Sequence, residues 1–153
     1  MSQITFLASS KPFEMPEEIE TYNKRTAFES EEDVHFFTVQ KLDEGWLNEI
    51  EGLFSLPYLY EVEGIESRSF LIYLEKYMET GDVFEVYGVP NQHALETYIQ
   101  KLRENSEPIR VNVGSLTYKE RYGEYQFTAK HWVEELSHRN YLSPRGVTTF
   151  EKF

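Results

Sequence analysis

Cysteine is absent from all 153 residues. The chain therefore has no disulfide, no thiolate nucleophile and no cysteine-ligated zinc or iron–sulfur site. Long apolar runs are missing too, since no segment approaches the ~20 consecutive apolar residues that cross a bilayer. The opening residues, MSQITFLASSKPF, lack the basic start and extended apolar centre of a secretory signal. The missing apolar run and the missing signal predict a cytoplasmic protein without a membrane segment. Glycine is sparse, at eight residues, and none falls in a phosphate-cradling cluster.

Basic residues are scarce in the first half. Residues 1 to 66 hold 15 acids against Lys11, Lys24, Arg25 and Lys41, a balance of −11; the remainder holds 12 acids against 11 bases, a balance of −1. A field of this sign opposes the phosphates of nucleic acid and favours a cationic partner, besides keeping the chain soluble.

What is present is enough for a packed core. Hydrophobic residues make up 40% and aromatics 16%, far from the composition of a disordered chain. The length suits a single domain spanning 1 to 153.

Apolar spacing predicts strands over 4–9, 34–40, 57–64 and 82–89, alternating with helices over 16–25, 45–54, 69–80 and 92–105. Gly81 is placed to end the third helix, and Asn91 to cap the fourth. A weak repeat, YEVEGI against FEVYGV, relates residues 60–65 to 84–89. Beyond residue 106 the rhythm changes. IRVNVG (109–114) is a strand with Ile109, Val111 and Val113 on one face, 115–128 is a hairpin turning near Gly123, and 146–153 is a last strand. A helix capped by the Thr128 hydroxyl is expected between hairpin and last strand, ending before Pro144.

Buried parallel strands read as continuous apolar runs, whereas PYLYEVEG and IRVNVG alternate with polar residues. The expectation is an α+β fold: one two-layer domain with a mixed or largely antiparallel sheet, a wet face, and helices mainly on the other face. A three-layer α/β arrangement is the alternative.

The segment HWVEELSH (131–138) gathers the richest polar chemistry. At roughly 100° per residue, His131, Glu134, Glu135 and His138 fall within an arc of about 80°, opposite Trp132, Val133 and Leu136. Imidazole and carboxylate together are ligands for zinc, manganese or iron. The two histidines, however, stand about 10.5 Å apart along a helix axis. The face divides into two half-sites, His131 with Glu135 and Glu134 with His138, each needing donors from elsewhere. A solvated face on an amphipathic helix accounts for the same pattern without metal.

Asn91 and His93, in PNQH (90–93), join a strand end to a helix start, where open backbone N–H groups can receive an anion; a simple helix cap explains them equally. The set Tyr58, Tyr60, Tyr73, Tyr77, Phe84, Tyr87 and Tyr98 can line a pocket or form a core whose hydroxyls reach its rim. No G-x-S-x-G presents a serine nucleophile, and among 27 acids a carboxylate pair has no discriminating value. Two functions follow as expectations. The first is a non-enzymatic acidic module that binds a protein, with a basic partner favoured by charge and no cofactor. The second is a small-molecule-binding or metal-dependent enzyme with a tyrosine-lined pocket.

Overall fold

In the computed structural model the described residues are 3–23, 37–42, 54–66, 68–90, 107–139, 141–143 and 146–153. Among them eight strands form one mixed sheet: β1 (Gln3–Ser9), β2 (Thr38–Lys41), β3 (Tyr58–Glu63), β4 (Val83–Pro90), β5 (Ile109–Asn112), β6 (Thr117–Glu120), β7 (Gly123–Gln126) and β8 (Thr148–Glu151). The helices are α1 (Glu17–Asn23), α2 (Arg68–Tyr77) and α3 (Trp132–Ser137). The class is mixed α+β. The helices expected over 45–54 and 92–105, and the first part of the strand expected over 34–40, lie outside the described residues except at Phe54.

The strand order is β2-β3-β1-β4-β8-β5-β6-β7. Neighbouring strands are antiparallel except β5 and β8, whose parallel register runs from Ile109↔Thr148 to Asn112↔Glu151. A parallel pair requires a long crossover, and the β6–β7 hairpin and α3 provide it. The repeated YEVEGI and FEVYGV segments become β3 and β4, which flank β1 on either side.

The main core lies on one face of the sheet. Leu7, Val62, Phe84, Val86, Val111, Tyr118 and Phe150 meet Phe70, Leu71, Leu74, Trp132, Val133 and Leu136 of α2 and α3 in one buried cluster. Edge-to-face rings knit it together, with Phe70 and Phe150 centred 5.0 Å apart. Each such side chain contributes about 1.5–3 kcal/mol through burial. A smaller cluster of Phe6, Leu42 and Tyr87, joined by Phe54 and Leu59, occupies the opposite face. The expected wet face is therefore confined. Along β1, Phe6, Leu7, Ala8 and Ser9 are all buried, whereas β5 alternates and every residue of β7 is exposed.

Two helix ends differ from expectation. Helix α2 stops at Tyr77; Gly81, with φ of +98°, instead sits in a following turn closed by Asp82 N–H donating to the Glu79 carbonyl at 2.9 Å. Helix α3 starts at Trp132, with His131 at its N-cap and no side-chain cap. Thr128 does not cap it, because a tight turn intervenes in which His131 N–H donates to the Thr128 carbonyl at 3.0 Å. Strand β7 begins at Gly123, so the hairpin turns at Arg121 and Tyr122, one step earlier than expected.

Candidate functional site

The polar face of α3 is solvated. His131, Glu134 and His138 are exposed, and Glu134 forms an ion pair with Arg68. Glu135 instead reaches back to accept the Thr128 N–H at 3.3 Å. Since α3 covers only 132–137, the two histidines sit just outside its ends. Among the described residues no three histidine, aspartate or glutamate side chains converge as a metal site. Asn91 and His93 lie outside the described residues.

The tyrosines serve the core and its rim. Tyr60 Oη accepts the Phe13 N–H at 2.9 Å, and Tyr77 Oη donates to Glu18 at 2.7 Å. Lys76 Nζ holds the other oxygen of Glu18 at 2.7 Å, which ties α1 to α2. Lys76 and Tyr77 together draw the Glu18 carboxyl below its ordinary range. Tyr73 is buried against the Tyr77 ring, and desolvation, reinforced by Asp82 and Glu79, pushes its phenol up to about 12. Tyr87 belongs to the smaller cluster, Tyr58 is exposed, and Tyr98 lies outside the described residues.

Concavity is found elsewhere. A cleft of about 500 Å³ opens at the end of the sheet where β1 begins and β3 ends. Thr5 pairs with Val62 on one side and Gly88 on the other, and Val86 pairs with Thr148, so these residues form a continuous floor. Gly64 and Glu66, from the loop leading to α2, form one wall; Leu142 and Ser143 form another. The two lone glycines of the repeated strands thus meet in one concavity, where a missing side chain lets a ligand approach the backbone.

The walls are held firmly. Tyr141 Oη, buried, donates to the Ile65 carbonyl at 2.6 Å, and desolvation with the field of Glu66 raises this phenol well above its ordinary value. Ser143 N–H donates to Thr148 Oγ1 at 2.8 Å, while Ser143 Oγ donates to the Glu107 carbonyl. The ionisable residues at its margin, among the described residues, are Glu63 and Glu66; Glu63 follows Val62 on β3 and turns its side chain to the opposite face, which leaves Glu66 on the wall. Among the described residues no base, histidine or tyrosine lines this glycine-floored cleft, which is distinct from the expected tyrosine-lined pocket.

A second concavity, about 630 Å³, lies beside β5 and β6 between Glu107, Arg110, Lys119, Glu120 and Arg121. Two of its bases have ion-pair partners: Arg121 holds Glu107 at 2.6 Å, and Arg110 approaches Glu151, outside the concavity, at 3.4 Å.

The hairpin of β6 and β7 offers a third feature. Tyr122 is 80% and Tyr125 38% exposed, and Arg139 lies over the Tyr125 ring at 4.4 Å. The lone glycines after the strands were legible as turn signals, whereas Thr5, Glu66, Ser143 and Thr148 carried no sequence signal of their own. Their meeting depends on strand order.

No protein-family model, curated protein or solved structure matches this chain.

Proposed function

We propose that this domain is a non-enzymatic protein-binding module for a cationic partner, which inserts a lysine or arginine side chain into the glycine-floored cleft. One observation carries the reading: among the described residues the ionisable residues at the margin of the 500 Å³ cleft, Glu63 and Glu66, are both acidic. The surplus of acid over residues 1 to 66 supports it, because a field of that sign speeds encounter with a positive surface. The Thr5 hydroxyl adds a polar group on the floor. The supporting scaffold in this proposal is two-layered, with α2 and α3 sharing one face through the main core.

The test is a pull-down at low and high salt, followed by titration of each captured protein against the wild-type chain and a Glu63→Gln, Glu66→Gln double variant. Binding at low salt that weakens at least tenfold in the double variant is the expected result. Capture of nothing at low salt, or partners indifferent to both salt and the two substitutions, would reject the proposal.

A further inference from the structure

Among the described strands β7 lies at the end of the sheet, and its four residues are all exposed. The pairing fixes which backbone groups are turned outward. Phe127 N–H donates to the Leu116 carbonyl at 2.8 Å, so the pairs Leu116↔Phe127, Tyr118↔Tyr125 and Glu120↔Gly123 are the hydrogen-bonded ones in this antiparallel ladder. The N–H and C=O groups of Glu124 and Gln126 therefore point away from β6, on the side where no described strand pairs.

The side chains give this edge a polarity. On the face opposite the main core, register aligns Glu85, Thr149, Arg110, Lys119 and Glu124 in one row across β4, β8, β5, β6 and β7. The row ends at the edge in a carboxylate. Glu124 has Lys119 opposite it on one side and no described strand on the other, so a positive charge on an added strand would face its open side. On the core side of the same strand, Tyr125 packs 5.9 Å from Tyr118 beneath Arg139, beside the more exposed Tyr122.

We infer that β7 is an interaction surface that accepts an extended, basic segment of a partner protein as a ninth strand. A lysine or arginine of that segment lies opposite Glu124, and its apolar neighbours lie against Tyr125. Backbone hydrogen bonds to Glu124 and Gln126 supply the docking, and the alternation of side chains supplies the selection. This rests on the reading of the domain as a binder of cationic proteins, but it uses an edge distinct from the cleft.

The experiment uses the full chain labelled for backbone NMR and titrated with a blocked peptide, Thr-Val-Lys-Val-Lys-Val-Thr. Three mates accompany it: one with glutamate in place of lysine, one N-methylated on the lysines, and one N-methylated on the two outer valines. Lysine opposite Glu124 must turn its own N–H toward β7, so methylation there is expected to weaken binding at least tenfold while methylation of the outer valines does not. Shifts are expected at residues 122–126, with the lysine peptide preferred over the glutamate peptide and the preference reversed in Glu124→Lys.

Shifts confined to residues 63–66 would overturn the inference while leaving the cleft reading standing. Absence of shifts at both places up to millimolar peptide would count against both. Concentration-dependent shifts in β7 without peptide would assign the edge to a second copy of the chain and overturn the basic-strand partner.

Discussion

Replacing Gly114 by alanine isolates a single backbone contact. Gly114 lies in the turn joining β5 to β6, and a Cβ built there would stand 2.9 Å from the backbone nitrogen and carbonyl carbon of Phe153, and closer still to its carbonyl oxygen. Main chain cannot rotate away as a side chain can. The neighbouring main chain is also pinned: Phe153 N–H donates to Asn112 Oδ1 at 3.2 Å, and Val113 N–H donates to the Glu151 carbonyl at 2.8 Å. The same Asn112 oxygen accepts Gly114 N–H at 2.9 Å, so the turn and the chain after β8 are clamped by one side chain. Glycine to alanine at an unstrained, open position stabilises by about 0.4–1 kcal/mol through the unfolded state. Overpacking costs about 1–3 kcal/mol, so the expected net loss is roughly 1–2 kcal/mol. In a chain of this size that lowers the melting temperature by roughly 2–8 °C. Calorimetry or circular dichroism reads it, and the same substitution in a chain stopped after Lys152 should lose most of the penalty. Gly81→Ala is the control: no atom lies within 4 Å of its Cβ, its φ is +98°, and its cost of about 1–2 kcal/mol should be insensitive to that truncation. A neutral or stabilised Gly114→Ala protein, or a penalty undiminished without Phe153, would refute the reasoning.

Stability should decline in alkali. The Tyr73 phenol is pushed up to about 12 and that of Tyr141 is raised further, each first by desolvation, so both contribute stability that is fully present below the unfolded value near 10 and is lost as pH rises through the folded values. The slope is about 1.4 kcal/mol per group per pH unit where only the unfolded form ionises. Urea titrations from pH 9 to 12, with tyrosinate absorbance as the second probe, should show it, and Tyr73→Phe should flatten it; a flat profile in wild type would contradict the assignment. At neutral pH, Tyr141→Phe leaves the Ile65 carbonyl without its donor and should cost about 1–3 kcal/mol in the same titration, with the dependence on urea unchanged. A loss below ~0.3 kcal/mol would mean the bond contributes little beyond what water supplies.

Much of the strand content was legible because side chains repeat with period two. Ile109, Val111 and Val113 are all buried, as their spacing requires, and Val62, Phe84 and Val86 enter the same core. Helix ends were less legible, since hydroxyl chemistry at Thr128 offers a cap that the backbone there spends on a turn. Register across the sheet could not be read locally: the last strand lies between β4 and β5, and no property of TTFE announces that position. Both proposed sites inherit this difficulty. The cleft requires β1, β3, β4 and β8 to be neighbours, and the charged row ending at Glu124 exists only when five strands are aligned. HWVEELSH, by contrast, was chemically rich in sequence and structurally plain, its apolar side anchoring α3 while Glu134 and Glu135 found single partners nearby.

The place of β8 has a consequence for how the chain is made. Among the described strands, β2-β3-β1-β4 form one half of the sheet and β5-β6-β7 the other, and β8 is the strand hydrogen-bonded to both. During synthesis the first seven strands leave the ribosome before their seam can close. For that interval β4 and β5 each keep an unpaired margin, and nascent chains on one polysome carry matching margins at high local concentration. A truncated translation product lacking residues 148–151 would remain in that state, which makes it a natural substrate for chaperones and proteases.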